Sequence, residues 1–238
     1  MTAPTRWVDL KRFTSARVAL GRVGNAVPTA AHLAFQADHA AARDAVHAAL
    51  DIVALQAELA SPAIVVRSAA RDRPEYLLRP DLGRRLHPDI RLDPQPGCIA
   101  LVIADGLSAT AAQRHAAALV AAIGHSGPIF IATQARVALG DDIGEALQAE
   151  AVLMLTGERP GLTSPDSLGA YLTWQPRRGR TDAERNCVSN IRPAGLPIPD
   201  AALKLRWLIA EMRRLRLSGV ELKDEQPTQE ISISVDIT

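Results

Sequence analysis

CIALVIADGLSATAAQRHAAALVAAI, at residues 98–123, decides the fold because it joins an apolar run to a polar turn and an alanine-rich helix. The run at 98–104 predicts a buried strand, 105–108 predicts the turn, and 109–123 predicts the helix. A strand that is apolar at every position is typical of a parallel sheet covered on both faces.

The same pattern recurs along the chain. Further apolar runs stand at 129–132 and 152–155, with a helix predicted at 141–147 between them and a short strand at 63–66 before them. Strands that alternate with helices predict parallel strands joined by right-handed crossovers. The fold class is therefore α/β, with a Rossmann-like parallel sheet flanked by helices.

The predicted organisation has a helical N-terminal region at 1–60, a Rossmann-like domain at 61–225 and a C-terminal tail at 226–238. Thr29 is the expected N-cap of a helix that continues to the break at Ser61-Pro62, and Asp200 is the expected cap of a last helix. In the tail, apolar and polar residues alternate, which predicts either an added edge strand or a frayed terminus.

Three loops follow the predicted parallel strands, at 105–108, 133–137 and 156–161. Because these strands all end at one edge of the sheet, and ligands bind at that edge in open α/β sheets, this is the expected site. The third loop presents Glu158 and Arg159 beside Pro160-Gly161, and a polar segment around Cys187 is the expected second functional loop.

Composition excludes several classes of protein. The chain has 238 residues, 47% of them hydrophobic and 22% charged, as in ordinary globular proteins. A net charge of +1 argues against a nucleic-acid surface built on bulk charge. Two cysteines, no apolar run of membrane-spanning length and no signal-peptide core predict a cytoplasmic protein without membrane partners.

The arginine-rich segment at 71–85 has two interpretations. Such runs are usually solvated, salt-bridged surface. Arginine is also favoured at interfaces, so the segment could instead dock a larger partner or an anionic group.

The residue types in the loops suggest chemistry without deciding it. Glu158 could act as a general base, Asp105 and Ser108 could bind a polar substrate, and Cys187 could act as a nucleophile. However, Asp and Ser are common helix N-caps, no histidine lies in these loops, and most cysteines are inert. From the residues alone, the chain is a Rossmann-like binder of a small molecule or cofactor.

Particular stretches of sequence narrow this interpretation to one family. They run in order from about Thr14 to Glu225 and resemble the small subunit of ethanolamine ammonia-lyase. The strings are ARVALG at 16–21, RPDLGRRL at 79–86, IADGLSA at 103–109, GERPGL at 157–162, SPDSLGAYLTW at 164–174, DAERNCVSNIRPAG at 182–195 and LSGVELKDE at 217–225.

The resemblance implies a lyase that depends on adenosylcobalamin in its base-on form. A large catalytic subunit, a (β/α)8 barrel, would bind ethanolamine, and the small subunit would cover the cobalamin at the interface between them. Homolysis of the cobalt–carbon bond would start a radical reaction that releases acetaldehyde and ammonia, with the protein positioning the cofactor.

The resemblance also implies which residues of this chain touch the cofactor. These are Val137, Glu158 and Cys187, with Arg136, Arg159 and Ser189 as further candidates. It implies no catalytic residue and no metal ligand in this chain. For Glu158 the alternative is an ion pair with Arg159, and for Val137 it is simple packing.

Two other functions stay open at this stage. One is a stand-alone α/β enzyme that uses Asp105, Glu158 and Cys187; the other is a structural subunit that never touches the cofactor. Some relatives carry a long N-terminal extension that directs them to a bacterial microcompartment. Here the family-like sequence starts almost at once, so encapsulation is not expected.

Overall fold

A computed structural model describes residues 9–14 and 16–226 of this chain. Its centre is a six-stranded sheet in the order β1-β3-β2-β4-β5-β6. The strands are β1 (Ala63–Arg67), β2 (Ile99–Ala104), β3 (Ile129–Thr133), β4 (Ala151–Gly157), β5 (Leu168–Trp174) and β6 (Arg185–Ile191). The helices are α1 (Thr29–His47), α2 (Ile52–Glu58), α3 (Arg73–Leu78), α4 (Ala109–Ile123), α5 (Leu139–Leu147) and α6 (Ile198–Leu215).

The sheet is mixed. Strands β1 to β4 pair in parallel, as the apolar runs predict, while β5 and β6 add to β4 as antiparallel strands. The α/β class is confirmed, with this antiparallel extension as the difference. Only three residues separate the β4 end from a turn that returns the chain at 161–164, so β5 can pair with β4 directly without a crossover helix.

The two faces of the sheet bury separate apolar clusters. On one face, Leu101 and Ile103 of β2 pack beneath α4 and α6. On the other face, Val102 and its neighbours pack beneath α5. The chain therefore leaves β2 and β3 toward opposite faces, which opens a crevice between their carboxyl ends.

The N-terminal region is helical but less continuous than predicted. The expected single helix is interrupted at 48–51, where the side chain of Asp51 accepts from Ala54 N and starts α2. Thr29 is the first residue of α1, and Pro28 holds the cap position. Asp200 likewise lies in the first turn of α6, which begins two residues earlier after Pro197.

The polar segment around Cys187 is not a loop. It forms β6, the edge strand, which exposes one side and therefore tolerates Asn, Ser and Cys. The expected edge strand in the tail lies outside the described residues. The proposed boundaries between 1–60, 61–225 and 226–238 stay predictions.

Candidate functional site

A cavity of about 470 Å³ lies at the carboxyl ends of the central strands. All three predicted loops contribute to its wall. Its lining includes Tyr76, Leu107, Arg136, Val137, Glu158, Arg159 and Tyr171. The loops that sequence analysis assigned to one edge of the sheet therefore meet around one space.

Close backbone packing shapes the floor of this cavity. A Cβ on Gly106, whose φ is +55°, would lie 2.2 Å from the carbonyl oxygen of Gly157. A Cβ on Gly157 would lie 1.9 Å from the carbonyl oxygen of Ser108. The loops after β2 and β4 thus touch through their main chains, and only glycine fits at these two positions.

Glu158 follows β4 and points its carboxylate at the start of β5. Its Oε2 accepts hydrogen bonds from Ser167 Oγ and from Asn190 N, the latter at 3.3 Å. Its Oε1 accepts none from the residues that the structure describes, and no ion pair with Arg159 forms among them. One carboxylate oxygen is held by the protein, and the other is an open acceptor at the cavity wall.

A β-bulge at the sheet edge produces this arrangement. Ala170 pairs with Val188 and Leu168 with Ile191, so Gly169 stands opposite two residues, Ser189 and Asn190. The extra residue adopts a left-handed conformation, with φ of +58° at Asn190. Bulges of this kind redirect the backbone, and here the bulge brings Asn190 N to Glu158.

Cys187 lies beside the cavity lining rather than in it. It is the direct cross-strand partner of Tyr171, which does line the cavity, so the two side chains share one face of the sheet. Packing against β5 withdraws the thiol from part of the solvent, and this desolvation raises its pKa. Burial also raises the pKa of Tyr171, and Cys187 and Glu158 add to the effect. Both groups are neutral near pH 7.

Arg136 is held at the opposite wall by Tyr76. Its guanidinium carbon lies 4.4 Å from the centroid of the Tyr76 ring, with Arg73 at 4.7 Å. The buried Tyr76 hydroxyl donates to Ala135 O, and burial raises its pKa to about 12. Arg136 Nε is buried without a hydrogen-bond partner among the described residues, which leaves a donor unused.

Asp105 and Ser108 serve the fold. Asp105 accepts from the main-chain nitrogens of Gln134 at 2.8 Å and Ala135 at 3.0 Å, which fixes the loop after β3. Ser108 caps α4 by accepting from Ala111 N, and its hydroxyl donates to Pro165 O in the loop between β4 and β5. Both side chains are engaged in hydrogen bonds within the fold, and neither lines the cavity.

The structure thus brings Val137 and Glu158 to one cavity, with Arg136 and Arg159 in the same wall. Cys187 stands one strand away, and Ser189 lies in the bulge. Sequence reasoning missed the two tyrosines, Tyr76 and Tyr171. Side chains of a strand point alternately to its two faces, so the sequence of β5 could have placed Tyr171 on one face of the sheet. Nothing local in the sequence, however, pairs Tyr76 with Arg136.

Over residues 9–14 and 16–226, no group of three or more His, Cys, Asp or Glu side chains is arranged to hold a metal ion. Within the same residues, no helix is long and apolar enough to cross a membrane.

Comparison with known proteins gives a consistent result. The family model described as ethanolamine ammonia-lyase light chain (EutC) matches residues 4–223. The chain is 51% identical to the ethanolamine ammonia-lyase small subunit of Xanthomonas campestris pv. campestris strain B100, over 94% of this chain and 90% of that protein. It is 53% identical to the small subunit of Rhodopseudomonas palustris strain BisA53, over 94% of each. For the small subunit of Azotobacter vinelandii the identity is 53%, over 92% and 88%.

Proposed function

The chain belongs to the ethanolamine ammonia-lyase light chain family. We propose that its sheet-edge cavity is one wall of a cobalamin site. The large catalytic subunit supplies the opposite wall and binds ethanolamine. This chain makes no catalytic contact; it holds and covers the cofactor for the conversion of ethanolamine to acetaldehyde and ammonia.

The observation that carries the proposal is the meeting of Val137 and Glu158 in one cavity, with Cys187 paired to a third lining residue. These are the three residues that the family resemblance implied. They come from three different segments, after β3, after β4 and within β6, so their proximity is a property of the fold rather than of sequence spacing.

The donors and acceptors suit the edge of a corrin ring, which carries methyl groups and amide side chains. Glu158 Oε1 is an open acceptor for an amide N–H, and the guanidinium of Arg159 in the same wall can donate to an amide oxygen. Val137 and Leu107 offer apolar surface to the ring, and Tyr171 adds an aromatic face. The neutral thiol of Cys187 adds packing and no nucleophile.

Cobalamin, when bound, supplies a cobalt–carbon bond that breaks homolytically. The residues of this chain orient the corrin and exclude water from one side of it. The cavity is smaller than cobalamin and opens toward solvent at the sheet edge, so a second surface is needed to enclose the cofactor. That need supports a site completed at the interface with the large subunit. The base-on form of the cofactor stays a prediction from the family resemblance.

The test is cobalamin titration by calorimetry, with this chain alone and then with the large subunit. We expect weak or absent binding by the chain alone and tight binding by the complex. Glu158→Gln should weaken binding by the complex about tenfold, because one hydrogen bond to a charged acceptor is lost. Glu221→Gln is the matched control, since Glu221 is exposed and distant from the cavity.

The alternative of a purely structural subunit makes a different prediction. In that case Glu158→Gln would leave cobalamin affinity unchanged while the complex still assembles, as judged by its mass in solution. Activity of the purified chain without any partner would instead support the stand-alone enzyme.

A further inference from the structure

A second cavity of about 400 Å³ adjoins the first on the side away from Glu158. The two share Arg136 and Val137, which form the ridge between them. The second cavity also has four arginines but only one acid in its wall: Arg84, Arg136, Arg180 and Arg185, with Asp182. Its chemistry is therefore that of an anion site rather than of a corrin surface.

Half of this positive charge is already compensated within the protein. Arg185 forms a bidentate pair with Asp141 and lies 3.6 Å from Asp182. Arg180 pairs with Glu184. Arg84 and Arg136 form no ion pair with any residue that the structure describes, so two positive charges remain open to the cavity.

Arg136 is also held in place before any ligand binds. Its main-chain nitrogen donates to Gly83 O at 2.8 Å, and a Cβ on Gly83 would lie 2.9 Å from Arg136 Cγ, so the stem rests on this glycine. Its guanidinium stacks on Tyr76. A side chain fixed in this way loses little conformational entropy when it binds an anion, which increases its contribution to affinity.

Main-chain donors in the same wall point to the same class of ligand. Val137 N and Ala138 N, just before α5, donate no hydrogen bond within the described part of the chain. The acids in the first turn of this helix do not oppose an anion, because Arg185 neutralises Asp141 and Arg178 neutralises Asp142. Arginine side chains beside free N–H groups are a favourable setting for a phosphate.

We propose that Arg84 and Arg136 bind the phosphodiester of the cofactor's nucleotide tail, while the first cavity receives the edge of the corrin. The inference rests on the proposed function, since it assigns a substructure of the same ligand. It makes Arg136 a specificity-determining residue, which selects the complete cofactor over a form that lacks the tail.

The experiment compares cobalamin with cobinamide, which has the same corrin but no phosphodiester, ribose or base. Affinities are measured by titration of the complex of both subunits, carrying wild-type chain, Arg84→Gln, Arg136→Gln or both substitutions. Arg177→Gln is the matched control, because Arg177 is exposed and outside both cavities. Inorganic phosphate is added as a competitor, and circular dichroism checks the fold of each variant.

We expect the double variant to bind cobalamin about tenfold or more weakly, as when charge-assisted hydrogen bonds are lost, and to bind cobinamide within about twofold of wild type. Phosphate should compete with cobalamin in the wild type and less in the variant. Because each variant is compared on the same ligand, loss of the lower base from cobinamide cancels.

Equal weakening of both ligands would overturn the inference, since Arg136 would then contact the corrin or support the fold. Unchanged affinity for both would overturn it as well. Glu158→Gln separates the two proposals: it should weaken cobalamin and cobinamide equally. If the wild-type complex binds neither ligand, the proposed function itself fails.

Discussion

Arg185 and Asp141 form a buried bidentate ion pair, with Nη2 to Oδ2 at 2.6 Å and Nη1 to Oδ1 at 2.7 Å. Each side chain is only 2% exposed. Arg185 begins β6 and Asp141 lies in the first turn of α5, so the pair ties the strand of Cys187 to the helix that follows Val137. The spacing between two of the proposed cofactor contacts depends on it.

Replacing one partner should destabilise the protein strongly. Arg185→Met leaves the Asp141 carboxylate buried without its counter-ion, and we expect a loss of about 3–5 kcal/mol in the free energy of unfolding. Urea denaturation followed by circular dichroism measures this. The double variant Asp141→Leu/Arg185→Met should lose much less, because no unpaired charge remains. A cost below about 1 kcal/mol for Arg185→Met alone would contradict the view that this pair holds β6.

Gly169 makes room for the carboxylate of Glu158. A Cβ at this position would lie 2.9 Å from Glu158 Oε1 and 3.1 Å from Tyr171 Cε2. Because the nearest atom is the end of a flexible side chain, Gly169→Ala should displace Glu158 at little cost in stability. We expect cobalamin affinity of the complex to fall severalfold, while the urea midpoint moves little.

The control for this change is Gly140→Ala. There a Cβ would meet Val152 at an ordinary 3.4 Å, inside α5, where alanine is the better helix former by roughly 0.5–1 kcal/mol. It should keep full cobalamin affinity. Loss of affinity in Gly140→Ala, or none in Gly169→Ala, would argue against Glu158 as the contact.

The parallel core could be predicted because its signal is local. Ile103 and its neighbours form an unbroken apolar run, and Ser108 follows at the position where a helix needs a cap. Both the strand and the start of α4 are therefore encoded within about ten residues. The loops at the sheet edge follow from the strands, which is why Glu158 could be placed correctly.

The polar side of the site could not be predicted in the same way. An edge strand needs only one buried face, so the residues around Cys187 have the composition of a loop. The bulge at Asn190 depends on pairing between β5 and β6, and the contact of Arg136 with Tyr76 joins segments sixty residues apart in sequence. Such contacts leave no local pattern.

Cys187 should react slowly with alkylating reagents. Desolvation raises the pKa of its thiol, so little thiolate is present at neutral pH, although the residue is exposed. In a Cys98→Ser background, we expect alkylation by iodoacetamide to be slower than for a free cysteine and to accelerate as the pH rises. Cobalamin bound to the complex should protect the thiol further. Rapid modification at pH 7, unaffected by cobalamin, would contradict both the environment and the proposed contact.

Glu184 should give the turn before β6 a dependence on acid pH. The Glu184 carboxylate accepts hydrogen bonds from Thr181 N at 2.7 Å and from Thr181 Oγ1 at 3.0 Å, and it pairs with Arg180. These contacts lower the pKa of Glu184 to about 2, and the hydrogen bond from Thr181 N contributes most. Since this pKa is depressed from 4.5, the carboxylate's contribution to stability is complete above about pH 4.5 and is lost as the pH falls toward 2.

Carbon-13 NMR titration of the Glu184 carboxyl group measures the midpoint directly, and hydrogen exchange of the Thr181 amide reports on the turn. Glu184→Gln should remove this part of the pH dependence, whereas Glu221→Gln should not. A midpoint near 4.5 in the folded protein would mean that the hydrogen bonds from Thr181 hold neither the turn nor the start of β6 that follows it.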